Sequence, residues 1–550
     1  MPLVEVLKFG SSVLRSPGDL HVAVDEIYRR WRSGYRVLAV VSAFEGVTDE
    51  LMGNVADALG SDCPEATAAY VATGEEQTGA LLLGSLRQYG LPARLLSPRE
   101  IGLIAKGSVL ESSPVCVDTV AVEQLWQGYP ILVLPGFYGI DAEGRTALFG
   151  RGGSDLSALF LAATLGGSCR LLKDVQGVFD TDPARTAAAH RFSALSWTKA
   201  IEVAGPLIQS KALHYAHSRS LSFEVGRPNE AACTTVGHTR DEWAAAAGSF
   251  QPLRIALVGC GVVGRGVYET LKRYPKAFEI RHVVVRELER YAGVECLTTD
   301  PEAVLDPLVN VVIVCFGGTI LAYPLIVAAL SAGKFVVTAN KAVVAAHGMD
   351  LVSYARGPGR RLWYSAAVGG ALPAIETLTG LESPVREIRA IINGTSGVVL
   401  DALASGLTCQ DAILMAQKSG FAEANVARDL SGLDSADKLA LMIKAAFGEV
   451  LIPEQIPRRG IDTIQANASG YKLIARARRT SEGIAASVQP EVPEPGSFLS
   501  QATGPENRLE IELETGAVIQ LRGQGAGRWP TTVSVMGDLH EIARLAENAS

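Results

Sequence analysis

The sequence predicts an α/β protein built from two parallel-sheet units in tandem. Short β-branched runs bounded by Gly, Pro or Ser alternate with amphipathic stretches: RVLAVVSA (36–43), YPILVLPG (129–136), RIALVG (254–259), HVVVR (282–286), NVVIVCF (310–316) and KFVVTA (334–339). A length of 550 residues, 48% of them hydrophobic and 20% charged, suffices for three or four domains with large cores. An Ala-rich connector, DEWAAAAGSFQP (241–252), separates the two parts.

Composition narrows the function classes. A net charge of −8 offers no basic field for nucleic acid or an anionic membrane, which leaves small metabolites as the expected partners. The eight cysteines (63, 116, 169, 233, 260, 296, 315, 409) are widely spaced without Cys-x-x-Cys, as expected of reduced thiols in a cytoplasmic protein. MPLVEVLKFGSS lacks the features of a signal or transit peptide. Residues 307–333 carry no charge and are long enough to span a bilayer. Gly317, Gly318 and Pro324 interrupt them, so a buried strand, a turn and a helix are predicted instead.

In the first part, LKFGSSVL (7–14), VVSAFEGVTDELM (40–52), ATGEEQTGALL (72–82), LFGRGGSDLSALFLAATLG (148–166), LLKDVQGVFDTDP (171–183) and QSKALHYA (209–216) occur in this order. Taken singly they say little: Lys8 could be a solvent-exposed strand end and Arg151 a helix cap. His214 and His217 are spaced for one helix face, but with no third ligand nearby no metal site is read there. Together the six motifs resemble the catalytic domain of aspartokinase, an amino-acid-kinase fold. No Gly-x-x-x-x-Gly-Lys-Ser/Thr loop is present, so lysines and glycine-rich turns at strand ends would neutralise the phosphates. The resemblance implies ATP with Mg²⁺, Lys8 and Lys211 facing the phosphates, and Gly10 approaching by backbone. It assigns Arg151 and Glu75 to the carboxylate and ammonium of aspartate, Ser154 and Asp155 to the same pocket, and Asp174 to seating the nucleotide. Four departures fall where ATP is expected: Ser11 for the second glycine of KFGG, Lys173 where Thr commonly precedes Asp174, Phe179 for Tyr, and Ala184 for Arg. They keep open a second reading, an inactive kinase-like module used for binding or assembly.

The second part opens on RIALVGCGVVGRGV (254–267), a β-branched run, Gly-x-Gly-x-x-Gly and a helix start. In that context backbone N–H groups at Gly259, Gly261, Val262, Val263 and Gly264 can approach a pyrophosphate at a helix N-terminus. The next strand ends in Arg286, which suits a 2′-phosphate and so NADP(H); the alternative is NAD, with Glu287 or Glu289 on the ribose. Further on, GFAEANVARDLSGLDSADKLALMIKAAFG (420–448) begins a helix near Asp434 that carries Lys438 one turn later. Lys438 interrupts an apolar face of Leu441, Met442 and Ala445. It is either a structural ion pair or a proton donor held by Glu423, Asp429 and Asp434. ARARR (475–479) reads as a solvated helix face.

GCGVVG, GGT, TANKAVVA (338–345), AAVGGALP (366–373), NGTSG (393–397), GFAEAN with DLSGLDSADK, and GQGAGRWPTTVSV (523–535) follow in order, and together resemble homoserine dehydrogenase over residues 253–550. The resemblance implies Lys438 as proton donor and Lys341 as a second active-site lysine. Glu423, Asp429 and Asp434 would lie at the amino-acid end of the substrate, with Gly317, Lys341 and Gly525 near the cofactor. Ser365 stands where Glu is frequent, and Gly397 where the NGT motif usually continues to Asn. The expected organisation is a kinase-like domain (1–237), a linker (238–252), a Rossmann domain (253–370) completed by a C-terminal helix (about 530–550), and a catalytic and dimerisation domain (371–529). A homodimer or higher homo-oligomer is implied. The short stretch between Gly237 and residue 253 cannot hold the paired regulatory modules that normally follow an aspartokinase domain. Feedback inhibition by threonine, lysine or methionine is therefore not expected.

Overall fold

The computed structural model describes the chain except for residues 1–2, 60–62, 187, 206, 246–250, 355–360, 420, 423–425, 465–467 and 550. It divides into two compact units, Met1–Gln88 with Pro92–Phe250 and Arg544–Ser550, and Tyr89–Leu91 with Gln251–Ala543.

The first unit is built on a nine-stranded sheet among the described residues. Its order is Glu242–Trp243, Phe192–Leu195, Cys233–Val236, Phe223–Gly226, Ser168–Leu172, Val4–Phe9, Arg36–Val41, Ile131–Pro135 and Ala93–Leu95. From Phe223–Gly226 to Ala93–Leu95 all neighbours are parallel. Sheets of this kind are covered on both faces, which explains why Ile131–Pro135 is apolar and buried at every position rather than alternating. Glu242–Trp243, inside the stretch read as a linker, adds an edge strand to this sheet, with Trp243 stacked on Phe192 at 4.0 Å between ring centres. A smaller sheet joins Glu111–Cys116, Ile104–Ser108, Tyr138–Ile140 and Thr146–Leu148.

The second unit holds two sheets. One is six-stranded and parallel, in the order Leu297–Thr298, Phe278–Val284, Leu253–Val258, Val311–Val314, Phe335–Thr338 and Leu362–Trp363. Numbered along the chain this is 3-2-1-4-5-6, the doubly wound Rossmann arrangement, whose ligand crevice lies where the strand order reverses. The other is five-stranded and antiparallel: Gly483–Glu491, Lys472–Thr480, Val385–Ile391, Glu506–Leu513 and Val518–Gln524. The helix Arg528–Ala549 returns to the Rossmann part, where its Arg528 pairs with Glu269 and the ring of His540 meets Tyr274 edge-on.

The span-like segment 307–333 is the predicted strand, turn and helix, with strand Val311–Val314, Gly318 at φ +88° and helix Ala322–Ser331. Among the described residues no helix is long and apolar enough to cross a membrane. ARARR is not helical. It lies in strand Lys472–Thr480, with Ala475 and Ala477 buried and Arg478 and Arg479 exposed. The small residue at every second position is a strand period, and it outweighs the helix propensity of Ala and Arg. Gly397 also has a reason: a Cβ there would lie 2.4 Å from the Gly504 carbonyl oxygen, so the usual Asn does not fit this packing.

The Rossmann turn is set by two glycines. Gly259 sits at φ +89°, and a Cβ on Gly264 would come 1.9 Å from the Gly259 carbonyl oxygen, a backbone atom that cannot step aside. Gly264→Ala is expected to destabilise the second unit by about 1–3 kcal/mol, the usual cost of forcing atoms into a packed site. Urea unfolding of the full chain, followed through the second unit, checks this; an unchanged midpoint would show that the turn relaxes freely.

Candidate active sites

In the second unit, helix Leu433–Phe447 starts after Gly432 at φ +78° and buries Asp434 and Lys438 in its first turns. Lys438 Nζ lies 3.0 Å from Asp434 Oδ2 and donates to the Ile392 carbonyl at 2.6 Å. Lys341 opens helix Lys341–Tyr354 just after strand Phe335–Thr338 and pairs with the other oxygen of Asp434. Asn393 completes the cluster. Its side-chain Oδ1 caps helix Gly394–Ala404 by accepting from the Ser396 N–H, and its Nδ2 donates to Asp429 Oδ1 at 2.6 Å and Asp434 Oδ2 at 2.7 Å. Glu423 lies outside the described residues.

The two lysines differ electrically. Burial lowers the pKa of Lys438, and the attraction of Asp434 only partly offsets it. At Lys341 burial also pulls downward, but the Asp434 carboxylate wins and the pKa rises. Asp434 itself is held well below the ordinary range because the two ammoniums overcome its desolvation, whereas burial, with Asp434 adding to it, raises Asp429. Lys438 is therefore the better proton donor and Lys341 the more permanent charge.

Of the residues expected at the cofactor, those of the Rossmann part follow strands of the parallel sheet at its carboxyl edge, while Gly525 follows strand Val518–Gln524 of the antiparallel sheet. Gly261 caps helix Val262–Leu271 with open space where its Cβ would be, and Val262 is 71% exposed at the same turn, beside half-buried Val263. Gly317 is exposed beyond strand Val311–Val314, and the Gly318 carbonyl accepts from Asn340 Nδ2 at 2.6 Å, which ties this turn to the one carrying Lys341. A Cβ on Gly525 would meet the fully buried Asn507 amide at 2.1 Å. Arg286 is exposed just after strand Phe278–Val284, while Glu287 is paired with Arg290 at 2.8 Å. These features fit a dinucleotide: backbone can approach closely, and a free guanidinium stands beyond the second strand.

In the first unit a similar cluster forms around Asp155, which helix Gly153–Leu165 brings under the sheet edge. Lys8 Nζ lies 2.8 Å from Asp155 Oδ1, and Lys173 Nζ 2.9 Å from Oδ2. Burial alone would raise the Asp155 carboxyl, but Lys173 and Lys8 bring it down to about 2; burial lowers Lys8 despite Asp155. Glu75, on helix Pro64–Gln88, is 2% exposed and is pushed up to about 8 by burial, against the pull of hydrogen bonds from the Ala43 and Glu75 backbone. Ser154 is buried beside Asp155, Gly10 follows strand Val4–Phe9, and Arg151 and Asp174 are exposed at the same edge. Lys211 is placed differently: its Nζ donates to Glu111 Oε1 at 2.8 Å, the Ser112 carbonyl at 2.6 Å and the Phe149 carbonyl at 3.0 Å. His214 bonds the Ser210 carbonyl and His217 stacks on Trp197.

Family models match three stretches: amino acid kinase family over residues 4–218, homoserine dehydrogenase NAD binding domain over 259–365, and homoserine dehydrogenase over 373–540. The homoserine dehydrogenase of Pseudomonas aeruginosa is 31% identical over 317 residues, covering 54% of this chain and 73% of the relative. That of Synechocystis is 33% identical over 319 residues, covering 53% and 74%. The chain belongs to the homoserine dehydrogenase family. The solved homoserine dehydrogenase of Thiobacillus denitrificans is 32% identical with a TM-score of 0.51, over 54% of this chain and 74% of that one. To the homoserine dehydrogenase domains this family member adds an N-terminal amino acid kinase domain, the arrangement of a bifunctional aspartokinase/homoserine dehydrogenase.

Asn393 and Lys173 are the structural members of these clusters that sequence reasoning did not place. The signal for Asn393 was its position as the N-cap residue of NGTSG. For Lys173 it was a lysine where the kinase pattern has threonine.

The raised pKa of Glu75 has a stability consequence. The folded state keeps this proton between pH 4.5 and about 8 while the unfolded chain releases it, so stability contributed here is lost as pH rises through that window. The Tm of Glu75→Gln minus that of wild type is expected to grow by several degrees from pH 5 to pH 8. A difference that stays constant with pH would refute the assignment.

Proposed function

We propose that the second unit reduces L-aspartate 4-semialdehyde to L-homoserine, and that the first phosphorylates L-aspartate to 4-phospho-L-aspartate. The observation that carries the reading is Asp434 shared between Lys438 and Lys341, beside a Rossmann crevice. When bound, NADPH supplies the hydride to the aldehyde carbon. The buried Lys438 ammonium, its pKa lowered, gives its proton to the developing alkoxide oxygen. Asp434 and the Ile392 carbonyl fix its direction. Lys341 keeps its charge and balances Asp434, while Asp429, Asp434 and Glu423 receive the substrate ammonium. Gly259, Gly261, Val262, Val263 and Gly264 hold the pyrophosphate, with Gly317 and Gly525 leaving room for the cofactor.

In the first unit Lys8 and the Gly10 backbone face the ATP phosphates, Asp174 helps to seat the nucleotide, and Arg151 and Glu75 hold the carboxylate and ammonium of aspartate, beside Ser154 and Asp155. Mg²⁺ suits this arrangement as an ion carried mainly by the nucleotide phosphates. The domain limits 1–237, 253–370 and 371–529 belong to the same reading. So does a cytoplasmic location, supported by eight free cysteines. A homo-oligomer belongs to the same reading.

Lys438→Ala is expected to lower dehydrogenase turnover by about 10²–10⁴-fold, the usual contribution of a positioned acid. ADP release from aspartate and MgATP should be unchanged in that variant, and Arg151→Ala should do the reverse. Wild type that reduces the semialdehyde but releases no ADP would favour the kinase-like binding module. Separately, NADPH is expected to be preferred because of Arg286. Arg286→Ala should weaken NADPH by about 1.5–3 kcal/mol, the range for a charge-assisted bond, and leave NADH nearly as it was. Equal losses for both would assign the ribose end to other groups.

A further inference from the structure

Lys173 has no role in the reading above, yet it is one of the two lysines paired with Asp155 in the first unit's cluster. Strand residues Phe9 and Leu172 are partners in register, so Gly10 and Lys173 follow side by side at the carboxyl edge of the parallel sheet. That edge is where ligands of open α/β sheets bind. Lys8, Lys173 and Asp155 are 5%, 7% and 3% exposed, and both ammoniums share the one carboxylate. An ammonium has three N–H donors. Those of Lys211 are matched by three acceptors, Glu111 and the Ser112 and Phe149 carbonyls, and Glu111 also answers its charge. Lys8, Lys173 and Asp155 by contrast add up to one unanswered positive charge. Glu75 does not cancel it, since burial keeps that carboxyl largely protonated at neutral pH. A buried charge without a partner is costly, and an anionic ligand removes the cost.

We propose that Lys173, together with Lys8, is the second phosphate-holding cation of the amino acid kinase unit, in the role that the resemblance gives to Lys211. The inference rests on the reading of this unit as an ATP-binding kinase. In the transfer, an oxygen of the aspartate side-chain carboxylate forms a bond to the γ-phosphorus as the bond from that phosphorus to the β–γ bridging oxygen breaks. The electron pair leaves with ADP, and no proton is required. Both reactants are anions, and the two ammoniums lower their repulsion as charge passes to the leaving group. Asp155 holds both lysines, Lys8 at Oδ1 and Lys173 at both oxygens, nearer to Oδ2 at 2.9 Å than to Oδ1 at 3.3 Å.

The test uses the full chain, with calorimetric titration of MgATP and, separately, of adenosine, which shares the base and ribose but has no phosphate. Lys173→Met should weaken MgATP by about 10–100-fold, the range for losing a charge-assisted contact, and leave adenosine within about twofold. Lys173→Arg, which restores the charge, should recover most of the loss. Lys173→Met keeps a Lys8–Asp155 pair of balanced charge and is expected to fold; Lys173→Thr serves the same comparison if it does not. MgATP binding that is unchanged in the Met or Thr variant, or adenosine weakened as much as MgATP, overturns the role of Lys173 alone. Wild type that binds neither ligand overturns the kinase reading and this inference with it.

Discussion

Both sites depend on one arrangement, a buried aspartate held between two lysines. Removing a carboxylate and two ammoniums from water costs several kcal/mol per ion, and Coulomb attraction repays it only in good geometry with the remaining donors and acceptors satisfied. Around Asp434 that is achieved by the Ile392 carbonyl, the Asn393 amide and the two lysines approaching different oxygens. Around Asp155 two ammoniums meet a single carboxylate. The dehydrogenase cluster has a further carboxylate, Asp429, tied in by Asn393, so two carboxylates stand against two ammoniums. The kinase cluster has an excess of positive charge, which suits phosphate. The same motif thus carries a different net charge according to what stands beside it.

In the second unit the backbone around the site lies unusually close. At Gly264, Gly525 and Gly397 a single added carbon would fall within 2.4 Å of another group, so the chain there is packed to the limit of what glycine permits. Such packing fixes the turn from which helix Val262–Leu271 springs and the turn at the end of strand Val518–Gln524. Rigidity of this sort keeps donors in place before the ligand arrives, which is where electrostatic catalysis gains most.

Much of this was legible in the sequence because the parallel strands are buried on both faces. A run such as NVVIVCF has no alternation to misread, and its glycine boundaries mark the turns, so the strands at 36–41, 131–135, 253–258, 311–314 and 335–338 fall inside or next to the predicted runs. Lys438 was legible for a similar reason: a charge on an otherwise apolar helix face stands out. ARARR was misread because Ala and Arg both favour helix, and the period of two that overrides this extends over few residues. Lys173 was visible only as a deviation. What it contacts is set by the parallel register of strands Val4–Phe9 and Ser168–Leu172, residues far apart in sequence, which no local pattern encodes.

The departures near the expected ATP site read differently once the strands are in place. Ser11 is exposed and follows Gly10, whose carbonyl accepts from the Val13 and Leu14 N–H groups, so the turn keeps its shape without a second glycine. Lys173 adds a cation to the same edge, beside a Lys211 already engaged by Glu111. A charge answered by Glu111 at the start of helix Ser210–Ser218 and another gained at a strand end leave the sum facing an anion nearly unchanged. The potential at a site depends on charge and distance rather than on which residue supplies it. A motif comparison counts Lys173 as a deviation where the electrostatics of the sheet edge register a relocation.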